Sequence, residues 1–158
     1  MEQFTLQRVT KLNVSITEAW SFFANPHNLA KITPPEMKFK VLTKELPQKI
    51  YTGLLIDYTV VPVFGIPLHW VTEIKNVEHP FFFADEQKAG PYAYWRHEHR
   101  FKEDGNTTIM SDEVIYSLPL GFIGKLAHGL IVKNKLKDVF DFREKAIKEI
   151  FPGSTVVV

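Results

Sequence analysis

The chain has 158 residues, a formal charge of +1, 45% apolar residues and 23% charged ones. That length suits a single domain, residues 1–158, with a proper core, and that balance excludes a disordered chain. A near-zero charge with no basic stripe argues against nucleic acid as a partner, and the absence of cysteine excludes disulfides, thiolate catalysis, zinc fingers and Fe–S clusters.

Residues 2–14 alternate imperfectly, through Phe4, Leu6, Val9, Leu12 and Val14, and predict a first strand with a bend. Ser15-Ile16-Thr17-Glu18 fits a capping box, and Ala19 to Phe23 continues it as a short helix. Asn25-Pro26 stops that helix and starts a second, with Asn25 as N-cap and Pro26 at the first helical position. Thr33-Pro34-Pro35 ends it. Strands follow. Met37, Phe39 and Val41 alternate with lysines. Leu54, Ile56, Tyr58 and Val60 share one face of a strand over 52–61, in which Gly53 reads as a bulge or bend. After a break from Pro62 to Pro67, residues 68–78 set Trp70, Thr72 and Ile74 against Glu73 and Lys75, with His69 on the outer face. Phe81 to Gln87 is a fifth strand, and one parity of Asp85, Glu86 and Gln87 faces inward. Residues 92–103 and 106–118 are long strands joined by Asp104-Gly105, a two-residue hairpin signal. From about 123 to 151 the period becomes helical, with Leu126, Leu130, Leu136, Phe140, Ile147 and Ile150 in the apolar stripe. The order is β-α-α-β6-α. Strands in series before one long helix predict an α+β helix-grip fold, a curved antiparallel seven-stranded sheet around the C-terminal helix.

The hairpin turn sets a register. With Asp104-Gly105 as loop residues, Phe101 faces Thr108, His99 faces Met110, His97 faces Asp112 and Trp95 faces Val114. Arg96 faces Glu113 on the other, solvent side, as a cross-strand ion pair. The first face carries Trp95, Phe101, Met110, Val114 and Tyr116, so it is the interior. It also carries His97, His99 and Asp112, and a buried polar group costs a few kcal/mol unless it is paired. Three roles fit them: a satisfied structural His–Asp pair, a polar anchor at the floor of a ligand cavity, or part of a metal site, since His97, His99 and a carboxylate are the donor set of a facial triad. An imidazole oriented by a carboxylate is also a credible general base. No nucleophile motif accompanies it. The sequence assigns no metal and no cofactor.

Thirteen Phe, five Tyr and three Trp make an unusually aromatic interior, either a solid core or the wall of a cavity. Tyr58, Trp70, Trp95, His97, His99, Phe101, Met110, Asp112, Tyr116 and Leu130 are the candidate lining residues. The first half of the last helix, from Phe122 and Ile123 through Leu126 and Ala127 to Leu130, is apolar nearly all round and suits a lid. No apolar run reaches the roughly 18 residues of a membrane span. The N-terminus lacks a signal-peptide pattern, so a cytoplasmic location is expected and the sequons at Asn13 and Asn106 carry no meaning.

Several segments together resemble the START-like (SRPBCC) superfamily of Bet v 1-like proteins, polyketide cyclases and lipid-transfer domains. They are Asn28-Leu29 with Ile32-Thr33-Pro34-Pro35, Ile66-Pro67 with Trp70-Val71-Thr72, Asp85-Glu86-Gln87, Gly90-Pro91-Tyr92, the series Trp95, His97, His99 and Phe101, and Asp112 with Tyr116 and Pro119. Within it the chain looks like the bacterial proteins described as ligand-binding or cyclase/dehydrase. The resemblance covers nearly the whole chain and implies a cavity between sheet and long helix. The expected occupant is a small hydrophobic molecule: a lipid, isoprenoid, polyketide or aromatic compound. The alternatives are a cyclase or dehydratase with His97 and Asp112 as acid/base, and a scaffold with a filled core.

Overall fold

The computed structural model describes residues 2–62, 65–119 and 131–158. Strand β1 (Phe4–Leu12) leads to helix α1 (Ile16–Phe23), whose start is the expected capping box between Ser15 and Glu18. Asn25 caps the next segment, Pro26–Ile32, by accepting from the His27 amide. That segment is a 3₁₀ helix, and a second 3₁₀ turn covers Pro35–Met37. The strands are then β2 (Lys40–Val41), β3 (Leu55–Val60), β4 (Leu68–Glu78), β5 (Phe82–Ala89), β6 (Tyr94–Asp104) and β7 (Thr107–Ser117), followed by helix α2 (Lys133–Ile150) and a short β8 (Thr155–Val156). All pairings are antiparallel, in the order β2-β3-β4-β5-β6-β7-β1-β8. The α+β architecture with one long C-terminal helix is the expected one. The sheet has eight strands instead of seven, because the chain after α2 returns to pair with β1.

Three local expectations need correction. Met37 lies in the 3₁₀ turn, and Lys38 at φ 46° breaks the alternation, so only Lys40 and Val41 pair with β3. Gly53, at φ 94°, sits in the turn before β3 and not in a bulge. The irregularities that let the sheet bend lie in the β4–β5 ladder, between Val71 and Thr72 and between Lys75 and Glu78.

The hairpin register is the third. Gly105-Asn106, and not Asp104-Gly105, forms the two-residue loop, so Asp104 pairs with Thr107, Phe101 with Met110, His99 with Asp112, His97 with Val114 and Trp95 with Tyr116. Gly105 has φ 60° and Asn106 is not left-handed, so glycine occupies the first central position, as a type II′ turn requires. A shift of two residues leaves every side chain on its face. His97, His99 and Asp112 therefore stay inside, at 5%, 6% and 3% exposure. The outer face is rearranged: Arg96 pairs with Glu86 and Glu98, while Glu113 accepts from Gln7.

α2 lies across the concave side. Leu136 and Phe140 pack with Val114 and Tyr116, and Ile147 packs with Leu12, Phe101, Met110 and α1 residue Trp20. Full burial of such side chains is worth about 1.5–3 kcal/mol each. At the α1 end of the molecule Trp20, Phe83, Phe101 and Met110 make a solid core. Of the expected helix 123–151, residues 123–130 lie outside the described residues, and Leu130 with them. Among the described residues no helix is long and apolar enough to cross a membrane.

Candidate functional site

Three adjacent strands bring four polar side chains together beneath α2. β5 supplies Asp85, which the sequence left undecided between inward and outward; it points in, and Glu86 points out to Arg96. β6 supplies His97 and His99, and β7 supplies Asp112. Asp112 lies at the floor. Its Oδ1 accepts from His97 Nε2 at 2.8 Å and stands 3.0 Å from His99 Nδ1. That second approach has the distance of a hydrogen bond but not the angle, so His99 Nδ1 is buried without a well-directed partner among the described residues. The other ring nitrogens turn toward Asp85. His99 Nε2 is 2.9 Å from Asp85 Oδ2, and His97 Nδ1 is 3.9 Å from the same oxygen. The imidazoles lie 3.8 Å apart, and Phe83 stacks on His99 at 4.2 Å.

The cluster's charge follows from this geometry. Burial pushes both carboxyls up, but the imidazoles outweigh it, holding Asp112 and Asp85 below the usual carboxylate range; Arg143 adds to the effect on Asp85. Burial and the neighbouring His99 lower His97. His99 also loses by burial, yet its contacts with Asp112 and Asp85 raise it. These directions favour two carboxylates and make His99 the better proton holder of the two imidazoles.

Two neighbouring cavities share Trp95 on the inner side of the sheet. One, of about 110 Å³, is lined by Ile56, Thr72, Phe83, Asp85, His97, His99 and Arg143, with Trp95 at its edge. The other, of about 150 Å³, is lined by Phe39, Tyr58, Val60, Trp70, Tyr92, Trp95 and α2 residues Leu136 and Val139. Trp95 borders both. Trp70 meets it edge-on at 5.3 Å and stacks with Tyr58 at 6.1 Å. Burial raises the phenols of Tyr58 and Tyr92, so both are neutral hydroxyls, and the Tyr58 hydroxyl is bonded to Thr72. Besides His99 Nδ1, two donors on residues of these walls are buried with no partner among the described residues: Trp70 Nε1 and Arg143 Nε.

Of the residues singled out in the sequence, Tyr58, Trp70, Trp95, His97 and His99 line the cavities. Asp112 lies behind the histidines. Phe101 and Met110 belong to the solid core, and Tyr116 packs beside Trp95 and Phe4. His69 is exposed and bonded to Asp57. The sequence reading missed Thr72 and Tyr92 as wall residues, and above all Arg143. A signal for Arg143 was present: it follows Phe140 by three residues and precedes Ile147 by four, so it shares their inward face. An apolar-stripe search passes over a charged residue on that face.

The sequence matches no family model and no curated protein. Solved structures do match. A START superfamily protein from Mycobacterium smegmatis has a TM-score of 0.69 at 12% identity, over 93% of this chain and 96% of that one. Ginseng major latex-like protein 151 from Panax ginseng has a TM-score of 0.67 at 12% identity, over 95% and 98%. The chain has the START-like fold. A Thalictrum norcoclaurine synthase mutant, solved with a transition-state analogue, shares that START-like architecture, with a TM-score of 0.63 at 15% identity over 94% and 96%. At these identities the likeness fixes the START-like architecture, and the chemistry has to be argued from this chain's own cavity.

Proposed function

We propose that the protein binds a compact, mostly apolar and flat molecule between the sheet and α2, with Tyr58, Trp70, Tyr92 and Trp95 against its body. One observation carries this reading: Trp70 and Arg143, which line largely apolar cavities, each keep a buried donor, Nε1 and Nε, with no partner among the described residues. Buried polar groups are normally hydrogen-bonded, and a pocket with apolar walls and a few such groups is the ordinary design of a ligand site. Aromatic walls favour a planar body. The unbonded Arg143 Nε favours an acceptor or acidic group on it. Each cavity is smaller than the roughly 300–1,000 Å³ of drug-sized sites, which favours a small occupant over a long lipid. Similarity to Bet v 1-like and START-like structures supports the same reading.

The test is a panel of small aromatic acids and their neutral methyl esters, followed by tryptophan fluorescence and by the indole N–H signals of ¹⁵N-labelled protein. Binding should move the Trp70 signal, assigned with Trp70→Phe. That variant should bind about tenfold more weakly, the loss of one hydrogen bond. No response to any member at millimolar concentration would sink the proposal and leave a filled-core scaffold.

One arrangement favours a second reading, proton transfer on the bound molecule. His97 has its far nitrogen on Asp112 and its near one toward the cavity, the geometry of an oriented general base. A ligand that turns over in the wild type and binds without turnover in His97→Phe supports it. Unchanged turnover in that variant removes it.

A further inference from the structure

The orientation of the two imidazoles has a use that organic-ligand binding does not require. Each ring has one nitrogen on the Asp112 side, His97 Nε2 at 2.8 Å and His99 Nδ1 at 3.0 Å. The opposite nitrogens converge on Asp85 Oδ2, at 3.9 and 2.9 Å. This is the two-layer pattern of metal centres. Ligating imidazoles present one nitrogen to the ion and anchor the other on a carboxylate, which fixes the tautomer and the ring angle. We propose that Asp85, His97 and His99 form a three-ligand site for a divalent transition metal of the Zn²⁺ or Fe²⁺ kind, oriented from behind by Asp112 and open toward the cavity.

Four observations support it. First, one donor atom from each of the three lies within 4.8 Å of the other two. Metal–ligand bonds of about 2.0–2.1 Å in tetrahedral array place donors roughly 3.3 Å apart. The distances from Asp85 to the two histidines bracket that value, so small side-chain rotations close the site. Second, two imidazoles and one carboxylate suit these ions, and the set leaves coordination positions free. Third, Asp112 stands behind both rings, 2.8 Å from His97 Nε2 and 3.0 Å from His99 Nδ1, where ligating imidazoles find their carboxylate anchor. Fourth, His99 Nδ1 lacks a well-directed hydrogen bond. Pulling His99 Nε2 from Asp85 onto an ion lets the ring turn and improves that contact. The ligands sit on the central strands β5 and β6, where neighbours on both sides restrain the backbone. The free positions face the 110 Å³ cavity, whose wall includes Arg143. An anionic group on the ion would then lie beside a guanidinium.

The experiment titrates chelator-treated, metal-free protein with Co²⁺ alone and follows its visible ligand-field spectrum, with Zn²⁺ as competitor. The spectrum should saturate at one ion per chain and be displaced by Zn²⁺. Asp85→Asn and His97→Gln should each lose it. Asp112→Asn should weaken binding about 10–100-fold, as a partner behind the ligands does. His69→Ala and His27→Ala, at exposed histidines, should change nothing. Near-ultraviolet circular dichroism confirms that each variant is folded. X-ray absorption on the Co²⁺-loaded wild type needs no variant and should give two imidazoles and a carboxylate oxygen. Absence of a one-to-one spectrum, its survival in both Asp85→Asn and His97→Gln, or a shell without two imidazoles would each overturn the proposal. None of these results depends on an organic ligand, so the cavity reading stands or falls separately.

Discussion

Trp95, on the border of the two cavities, and Asp112, behind the histidines, make separate predictions. Trp95 borders both cavities, so Trp95→Ala should join them. The variant should accept occupants too large for either space alone, and it should lose about 2–3 kcal/mol of stability, less than a fully buried aromatic would, because Trp95 is only partly buried. A ligand-size series together with urea unfolding checks both halves. Asp112, at 3% exposure, is the common anchor of two buried imidazoles. Removing one member of a buried charged set leaves the rest uncompensated, so Asp112→Ala should cost about 3–5 kcal/mol in apo protein. Replacing His97, His99 and Asp112 together by apolar residues of similar volume should cost much less. If the triple variant is as unstable as the single one, the cluster is a structural requirement of this core.

The elements show how far the sequence could be read and where it stopped. The capping box at Ser15, the alternation of β3 and β4, and the inward face of β6 and β7 were legible, because each rests on a local rule that the packed molecule also obeys. The pairing partners were not. Asp104-Gly105 and Gly105-Asn106 are both acceptable two-residue turns, and the twofold period of a strand makes them indistinguishable by burial pattern. The histidines were therefore placed on the correct face with shifted partners. His97 still reaches Asp112, along a diagonal. The inward parity of Asp85 had no local marker at all, because a strand register set by long-range pairing decides it. Arg143 was hidden for another reason: helical periodicity is read from apolar residues, and a functional cation on the buried face is the exception to that pattern. The turn itself is testable. A Cβ at Gly105 meets nothing within 4 Å, so only its φ of 60° opposes a side chain. Gly105→Ala should lose about 1–2 kcal/mol, the cost of a left-handed L-residue. Asp104→Asn, in regular strand, should stay within about 0.5 kcal/mol, a typical surface change.

At the scale of the whole molecule, the proposed binding depends on α2 staying against the sheet, because it supplies a wall of the aromatic cavity and Arg143 to the other. Three devices hold it: the apolar stripe from Leu136 to Ile147, the return of β8 to β1, and a polar tie at Asp141. Asp141 accepts from Lys137 on its own helix and from Arg8 of β1 at 3.3 Å. The hydrogen bond from Lys137, aided by Arg8, holds its carboxyl below the usual range. The sign follows directly. A carboxyl lowered on folding adds stability above its unfolded value, about 3.9. That stability is lost as pH falls through the folded value, so the tie weakens on the acid side only. Asp141 is 39% exposed, and water and salt screen it, so its share is under about 1 kcal/mol. Asp141→Asn should therefore lower the urea midpoint slightly at neutral pH, lose that difference well below pH 4, and lose it again in high salt. A difference unchanged by acid and salt would mean that the helix is held at this point by packing alone. The apolar stripe and the β8 return would then account for the closed grip, and ligand entry would have to work against them.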